Sequence, residues 1–197
     1  MKRWATSSTS ASRSDSPKDS SFEGLGAWTE RTVNVAVEGE GSAPLESAAL
    51  TAGALPLLSV APQLGRLFTE ADAGPGAASV VLVGHELWRT RLNGDPDVLG
   101  RTLRLNGEPV EIIGVMPEGF GFPMSEDIWI PLRADGSLVA PRTGPAVTVF
   151  GRLAPGVSME AAQAELDAVG ARVAAANPET HRTLRPRVTT YQEPLFG

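Results

Sequence analysis

Residues 101–115 read RTLRLNGEPVEIIGV, and the Asn106-Gly107 pair at the centre decides how the chain around it folds. Asn and Gly tolerate the positive φ angles of a two-residue type I′ turn, so the apolar-alternating runs on either side pair as a β-hairpin. A loop of that length sets Leu103 opposite Val110 and fixes the register. The wider composition agrees. With 21 Gly and 16 Pro in 197 residues and only 6% aromatics, the chain reads as many short elements joined by turns, not as a long helical bundle. The fold class expected is α+β, and 42% hydrophobic residues are enough for a core.

Upstream of the hairpin, residues 79–83 (SVVLV) are a β-branched run of the length of a buried strand. Residues 85–92 follow as a helix, with Trp88 and Leu92 one turn apart and Asn93-Gly94 as a left-handed stop. Val33, Val35 and Val37 alternate with polar partners and predict a strand over 32–37. Residues 45–50 read as a further strand, and 51–58 as a short helix or turn ended by Pro56. Phe22, Leu25 and Trp28 recur at helical spacing and predict one short helix.

Downstream, residues 127–131 (DIWIP) read as a strand at a sheet edge, because Pro131 has no N–H to donate to a ladder. Residues 147–153 alternate as a strand, Pro155-Gly156 turns the chain, and Ser158 caps a helix. Met159, Ala162, Leu166, Val169, Val173 and Ala176 then recur three and four apart along one helical face. Asn177-Pro178 ends that helix, and residues 185–191 are expected to return as a strand, completing a β-α-β unit. Residues 1–21 are dominated by serine from position 7 onward and are expected to form a disordered leader.

Several functions are disfavoured on bulk grounds. Basic side chains number 17 against 23 acidic ones, a formal charge of -6, which opposes approach to a phosphate backbone and argues against nucleic acid as a partner. The chain has no cysteine, so thiol catalysis and thiolate metal sites are excluded. Its most apolar stretch, residues 47–60, is shorter than the roughly 18 apolar residues of a membrane span. No export signal is readable, since a polar run follows Lys2 and Arg3 where a signal peptide has an apolar core.

The residues that carry chemistry elsewhere have plainer readings here. His85 and Glu86 are helix neighbours pointing about 100° apart, the wrong geometry for an acid–base pair. His181 lies far away in a polar stretch, and the two histidines form no metal motif. Asp95, Asp97, Glu126 and Asp127 fit turn chemistry, and the glycine-rich residues 114–121 lack the ending of a phosphate-binding loop. No catalytic, cofactor-binding or metal residue is assigned, so no enzyme is expected. Trp88 reads as core. Trp129 and the polar face of the last long helix, with Glu160, Gln163 and Asp167, are the candidate interface residues.

An ordered series of motifs then resembles the periplasmic core domain of MacB-type ABC permeases, within the FtsX/MacB-like family and especially its duplicated stand-alone permeases. It begins with Leu64-Gly65-Arg66-Leu67-Phe68-Thr69 and Asp72, followed by VVLVGHELW (80–88), NGDP (93–96) and Gly100-Arg101-Thr102 with Leu105-Asn106-Gly107. IGVMPEGF (113–120), DIWIPL (127–132) and RLAPG (152–156) complete it, over residues 22–193.

The resemblance implies a porter-like β-α-β subdomain (22–54 with 141–197) and an inserted, mostly-β subdomain (about 55–140). It implies a domain on the extracytoplasmic, periplasmic face of the membrane, between the first and second transmembrane helices, that transmits force and docks partners during export. The partners implied are the remainder of the permease, its ABC ATPase subunit, a second copy in a homodimer and a periplasmic adaptor protein. The family's first membrane helix and first extracytoplasmic strand have no counterpart in this reading, which makes the chain a fragment. The alternative is an extracytoplasmic ligand-binding module for a peptide, lipid or drug, which requires an apolar pocket.

Overall fold

The computed structural model describes residues 4–7, 20–37, 41–133 and 146–190. They fall into two compact units, one of residues 28–133 and the other of residues 4–27 with 146–190. Residues 28–54, grouped with the porter-like part on sequence, pack in the first of these.

The 28–133 unit is built on the second half of β2 (Phe22–Ala36), β3 (Ser42–Leu50), β5 (Val80–Val83), β6 (Thr102–Leu105), β7 (Glu108–Val115) and β8 (Ile128–Pro131). A two-residue strand, β4 (Leu64–Gly65), lies antiparallel on β7. The expected hairpin is β6–β7: Asn106 (φ 52) and Gly107 (φ 90) take the positive angles, and Leu103 stands opposite Val110. The neighbours run β2-β3-β8-β5-β7, and β6 pairs with both β7 and β2. The ladder therefore closes on itself as a six-stranded barrel, joined where Val35 meets Leu105 and Ala36 meets Arg104. Val33, Val35, Val81, Val83, Leu103, Leu105, Val110, Ile112 and Ile128 fill one buried cluster with Leu87, Leu92 and Val98. Alternation along each strand turns one face toward that core.

β8 corrects the edge assignment. It lies between β3, to which it is parallel, and β5, to which it is antiparallel. Pro131 is tolerated there because it is the last residue of the strand, and Leu132 resumes the bonding by donating to Leu50 O at 2.7 Å. The short helix α1 (Ala54–Leu58) contains Pro56 in its first turn, where a missing N–H costs no helical bond, and ends instead at Ser59 with φ 57. Helix α2 (His85–Arg91) is followed by Asn93 (φ 57) and Gly94 (φ 61), the left-handed stop expected.

Between β4 and β5 a 3₁₀ turn, Glu70–Ala73, is capped reciprocally by Thr69 and Asp72. Arg66 forks onto both Asp72 oxygens at 2.7 and 2.9 Å. The guanidinium first, then the Thr69 hydroxyl and N–H, hold the Asp72 carboxyl well below the usual carboxylate range against the cost of burial.

In the other unit, β1 (Trp4–Ser7) pairs antiparallel with β9 (Thr148–Leu153), and β9 neighbours the first half of β2. Two expectations are corrected here. Residues 4–7 form a strand, so that part of the leader is structured; residues 8–19 lie outside the described residues. Residues 22–28 are strand and not helix: Gly24 and Gly26 weaken a helix, and the pairing partner decides the conformation against the local spacing.

Helix α3 (Met159–Ala176) starts where Ser158 accepts from Ala161 N at 3.2 Å. Ala162 packs with Phe22 and Leu153, and Met159, Leu166 and Val188 cover that cluster in part. A short helix, α4 (Pro178–His181), follows. Glu165 on α3 anchors the start of β2 by accepting from Ser21 N at 2.6 Å and Ser20 Oγ at 3.3 Å. Burial works against that carboxylate, but the bonds from Ser21 and Ser20 outweigh it and hold its pKa below normal. The expected return strand is absent over 185–189; only Thr190 makes an isolated bridge, and Tyr191 lies outside the described residues. Pro186 lacks a donor, and Gln163 takes the place of a ladder, donating to Pro186 O at 3.0 Å and accepting from Val188 N at 2.8 Å. Gly170 lets the segment approach, since a Cβ there would stand 2.7 Å from Pro186 Cδ.

Candidate functional site

One end of the barrel gathers acidic side chains from four elements. β5 and β7 run parallel, with Val83 paired to Val115, so both finish at this end. The residues that follow them, His85-Glu86 at the start of α2 and Glu118 in the turn after Pro117, are thereby brought together. Met116 N donates to Val83 O at 2.8 Å and Gln63 N to Val115 O at 2.8 Å, which fixes the two exits and sets Gln63 beside them. β8 begins at the same end: Gly84 N donates to Asp127 O at 2.7 Å, and Asp127 N to Glu46 O at 3.2 Å. Gly84 eases this approach, since a Cβ would stand a tight 3.2 Å from that Asp127 oxygen.

The electrostatics follow from this crowding. Burial raises the pKa of Glu126, and the charges of Glu30 and Glu46 add to it, although Glu126 accepts from Met124 N at 2.9 Å. Burial also raises Asp127, with Glu46 and Glu86 contributing. A carboxyl whose folded pKa lies above its unfolded value stabilises the fold fully below that unfolded value, here about 4.5 for Glu126. The stabilisation is lost as pH rises through the raised folded value. Glu126→Gln keeps an oxygen for Met124 N but carries no charge. It is expected to unfold at a higher urea concentration than the wild type at pH 7, with the advantage shrinking toward pH 4; an equal midpoint at both pH values contradicts the assignment.

His85 is held at this end by the amide of Gln63, whose Nε2 and Oε1 lie 3.0 and 3.2 Å from Nδ1, and by an edge contact with Trp88 at 5.5 Å. One imidazole nitrogen and one carboxylate oxygen from each of Glu86 and Glu118 lie within 4.8 Å of one another. The other histidine, His181, shares a 2.7 Å bond with Thr180. Hydrolytic chemistry of the serine type needs a serine hydroxyl on an imidazole, and these two histidines are bonded to Gln63 and Thr180.

The candidate interface residues fall in different units, Trp129 on β8 in one and Glu160, Gln163 and Asp167 on α3 in the other. Trp129 has no exposed surface and donates from Nε1 to Phe122 O at 2.6 Å. Its ring is enclosed within its own unit, tilted against Phe120 at 5.2 Å. Glu160 and Asp167 are exposed on α3. Gln163 is committed to the chain's own residues 186–188 and to Asp167 Oδ1 at 2.8 Å. The acidic end of the barrel escaped the sequence reading because its residues lie scattered between positions 46 and 127. A usable signal was present: VGHE and MPEG each follow an apolar strand run, and parallel pairing of those runs brings the two together.

Residues 9–169 match the family described as MacB-like periplasmic core domain. Among solved structures, the extracellular domain of the noncanonical ABC-type transporter YknZ from Gram-positive bacteria is similar at 18% identity and a TM-score of 0.62, over 88% of this chain and 84% of that one. The periplasmic region of MacB from Actinobacillus actinomycetemcomitans is similar at 14% identity and a TM-score of 0.66, over 96% of this chain and 88% of that one. No curated protein matches the sequence. Among the described residues, no helix is long and apolar enough to cross a membrane.

Proposed function

Because the chain belongs to the family of MacB-like periplasmic core domains, we propose that it works as a non-catalytic, force-transmitting and docking body on the outer face of the membrane. The observation that carries this reading is the family match over residues 9–169, with an α+β fold to go with it. Its partners in this reading are the membrane helices of an ABC permease, an ABC ATPase on the cytoplasmic side, a second copy of the domain and a periplasmic adaptor. The unit of residues 4–27 and 146–190 corresponds to the porter-like part, and the barrel to the insertion.

A closed barrel supports such a role on physical grounds. Each of its six strands pairs with a neighbour on both sides over at least part of its length, which resists fraying as the body is displaced. Domain motion driven by ATP hydrolysis elsewhere needs a stiff body of this kind and no chemistry within it. The ligand-binding alternative draws little from the pocket lined by Val37, Leu92, Arg101, Thr102 and Leu103. That pocket holds about 220 Å³ and has no aromatic lining, below the usual range of roughly 300–1,000 Å³.

The test is a permease carrying this domain between membrane helices, reconstituted with its ATPase in proteoliposomes and compared with a version in which residues 22–190 are replaced by a flexible linker. Basal ATP hydrolysis is expected to persist while export of a fluorescent efflux substrate is lost. Undiminished export without the domain overturns the reading.

A further inference from the structure

We propose that His85, Glu86 and Glu118 form a binding site for a divalent cation of the zinc type at the acidic end of the barrel. Their ligand atoms lie within 4.8 Å of one another. In a four-coordinate zinc site, bonds of about 2.0–2.1 Å set the ligand atoms roughly 3.4 Å apart. The ligand atoms therefore close by no more than about 1.4 Å to hold an ion. Glu86 and Glu118 are exposed and turn freely to do so, and His85 is the fixed member.

The imidazole carries the argument. Its Nδ1 is engaged by the Gln63 amide; with the amide oxygen accepting from Nδ1–H, the neutral ring keeps its lone pair on Nε2. Nε2 is shut off from solvent and has no hydrogen-bond partner among the described residues. In that tautomer Nε2 is a buried acceptor without a donor, which is costly, and an electron-pair acceptor such as a metal ion satisfies it. A ligating histidine commonly has its second nitrogen held by a neighbouring carbonyl that fixes the ring, and this makes Gln63 a positioning residue.

The donor set decides the class of ion. One imidazole nitrogen and two carboxylates suit zinc and its first-row neighbours, whereas magnesium and calcium prefer oxygen alone. Glu46 and Asp127 lie at the same end and add negative charge. Lysine occurs in the chain only at Lys2 and Lys18, so no ammonium from the barrel competes for the carboxylates.

Calorimetric titration of the full chain with zinc chloride at pH 7 tests the site. One saturable binding event is expected, weakened at least tenfold in His85→Ala and in Glu118→Gln and unchanged in His181→Ala. Glu118→Gln alters an exposed turn, so a native circular-dichroism spectrum separates loss of binding from loss of fold. Gln63→Leu, which touches no ion, is expected to weaken binding about tenfold by releasing the ring. The proposal is overturned if the wild type shows no saturable zinc binding, or if His85→Ala and Glu118→Gln bind as the wild type does. Magnesium binding as tightly as zinc overturns it as well, since that result signifies charge screening alone.

Discussion

Gly65→Ala is expected to destabilise the protein by about 2–5 kcal/mol, a fall in Tm of roughly 10 °C for a chain of this size. Two effects add. Gly65 sits at φ +75, where a Cβ costs about 1–2 kcal/mol. An alanine there would also overlap the Ile113 carbonyl oxygen and stand 2.9 Å from Gly114 Cα. Those neighbours are backbone atoms of β7 that cannot swing aside, which adds about 1–3 kcal/mol. The overlap pushes β4 off β7, and with it Arg66, whose N–H donates to that same Ile113 oxygen at 3.0 Å. Gly107→Ala is the control: it has φ +90 and open space around the added atom, so only the strain of about 1–2 kcal/mol is expected. Thermal unfolding followed by circular dichroism distinguishes them, and equal losses contradict the packing argument.

Trp129→Ala is expected to cost about 3–5 kcal/mol, the range for removing a large aromatic from a packed core. The side chain is fully buried, flanked across the ladder by Ala48 and Leu82 and tilted against Phe120 at 5.2 Å. Trp129→Phe retains most of the ring but removes the indole N–H that donates to Phe122 O, for about 1–3 kcal/mol. Urea midpoints for the two variants are expected in that order. An interface anchor would behave otherwise, leaving the isolated chain as stable as before.

The features legible in the sequence are those fixed within a few residues. Asn106-Gly107, Asn93-Gly94 and Ser158 each act through their own backbone or the next turn, so the hairpin, the stop after α2 and the start of α3 lie where expected. Features fixed by distant partners were not legible. Residues 22–28 have helical spacing, yet strand pairing decides their conformation. Pro131 marks an edge in most strands, but at the end of β8 it costs no ladder bond. Residues 185–189 alternate like a strand, and only the structure places the Gln163 amide in the ladder's stead. The acidic end was hidden for the same reason, since His85 and Glu118 become neighbours only through β5–β7 pairing.

Ring closure also dictates an order of events during synthesis. β2 and β3 are translated first and are joined by a short connection, yet β2 awaits β6 on its other side and β3 awaits β8. The flank of β2 can be covered once Leu105 has emerged, but that of β3 stays bare until Pro131 has followed, so the latest strand to be translated sets the clock for closing the ring.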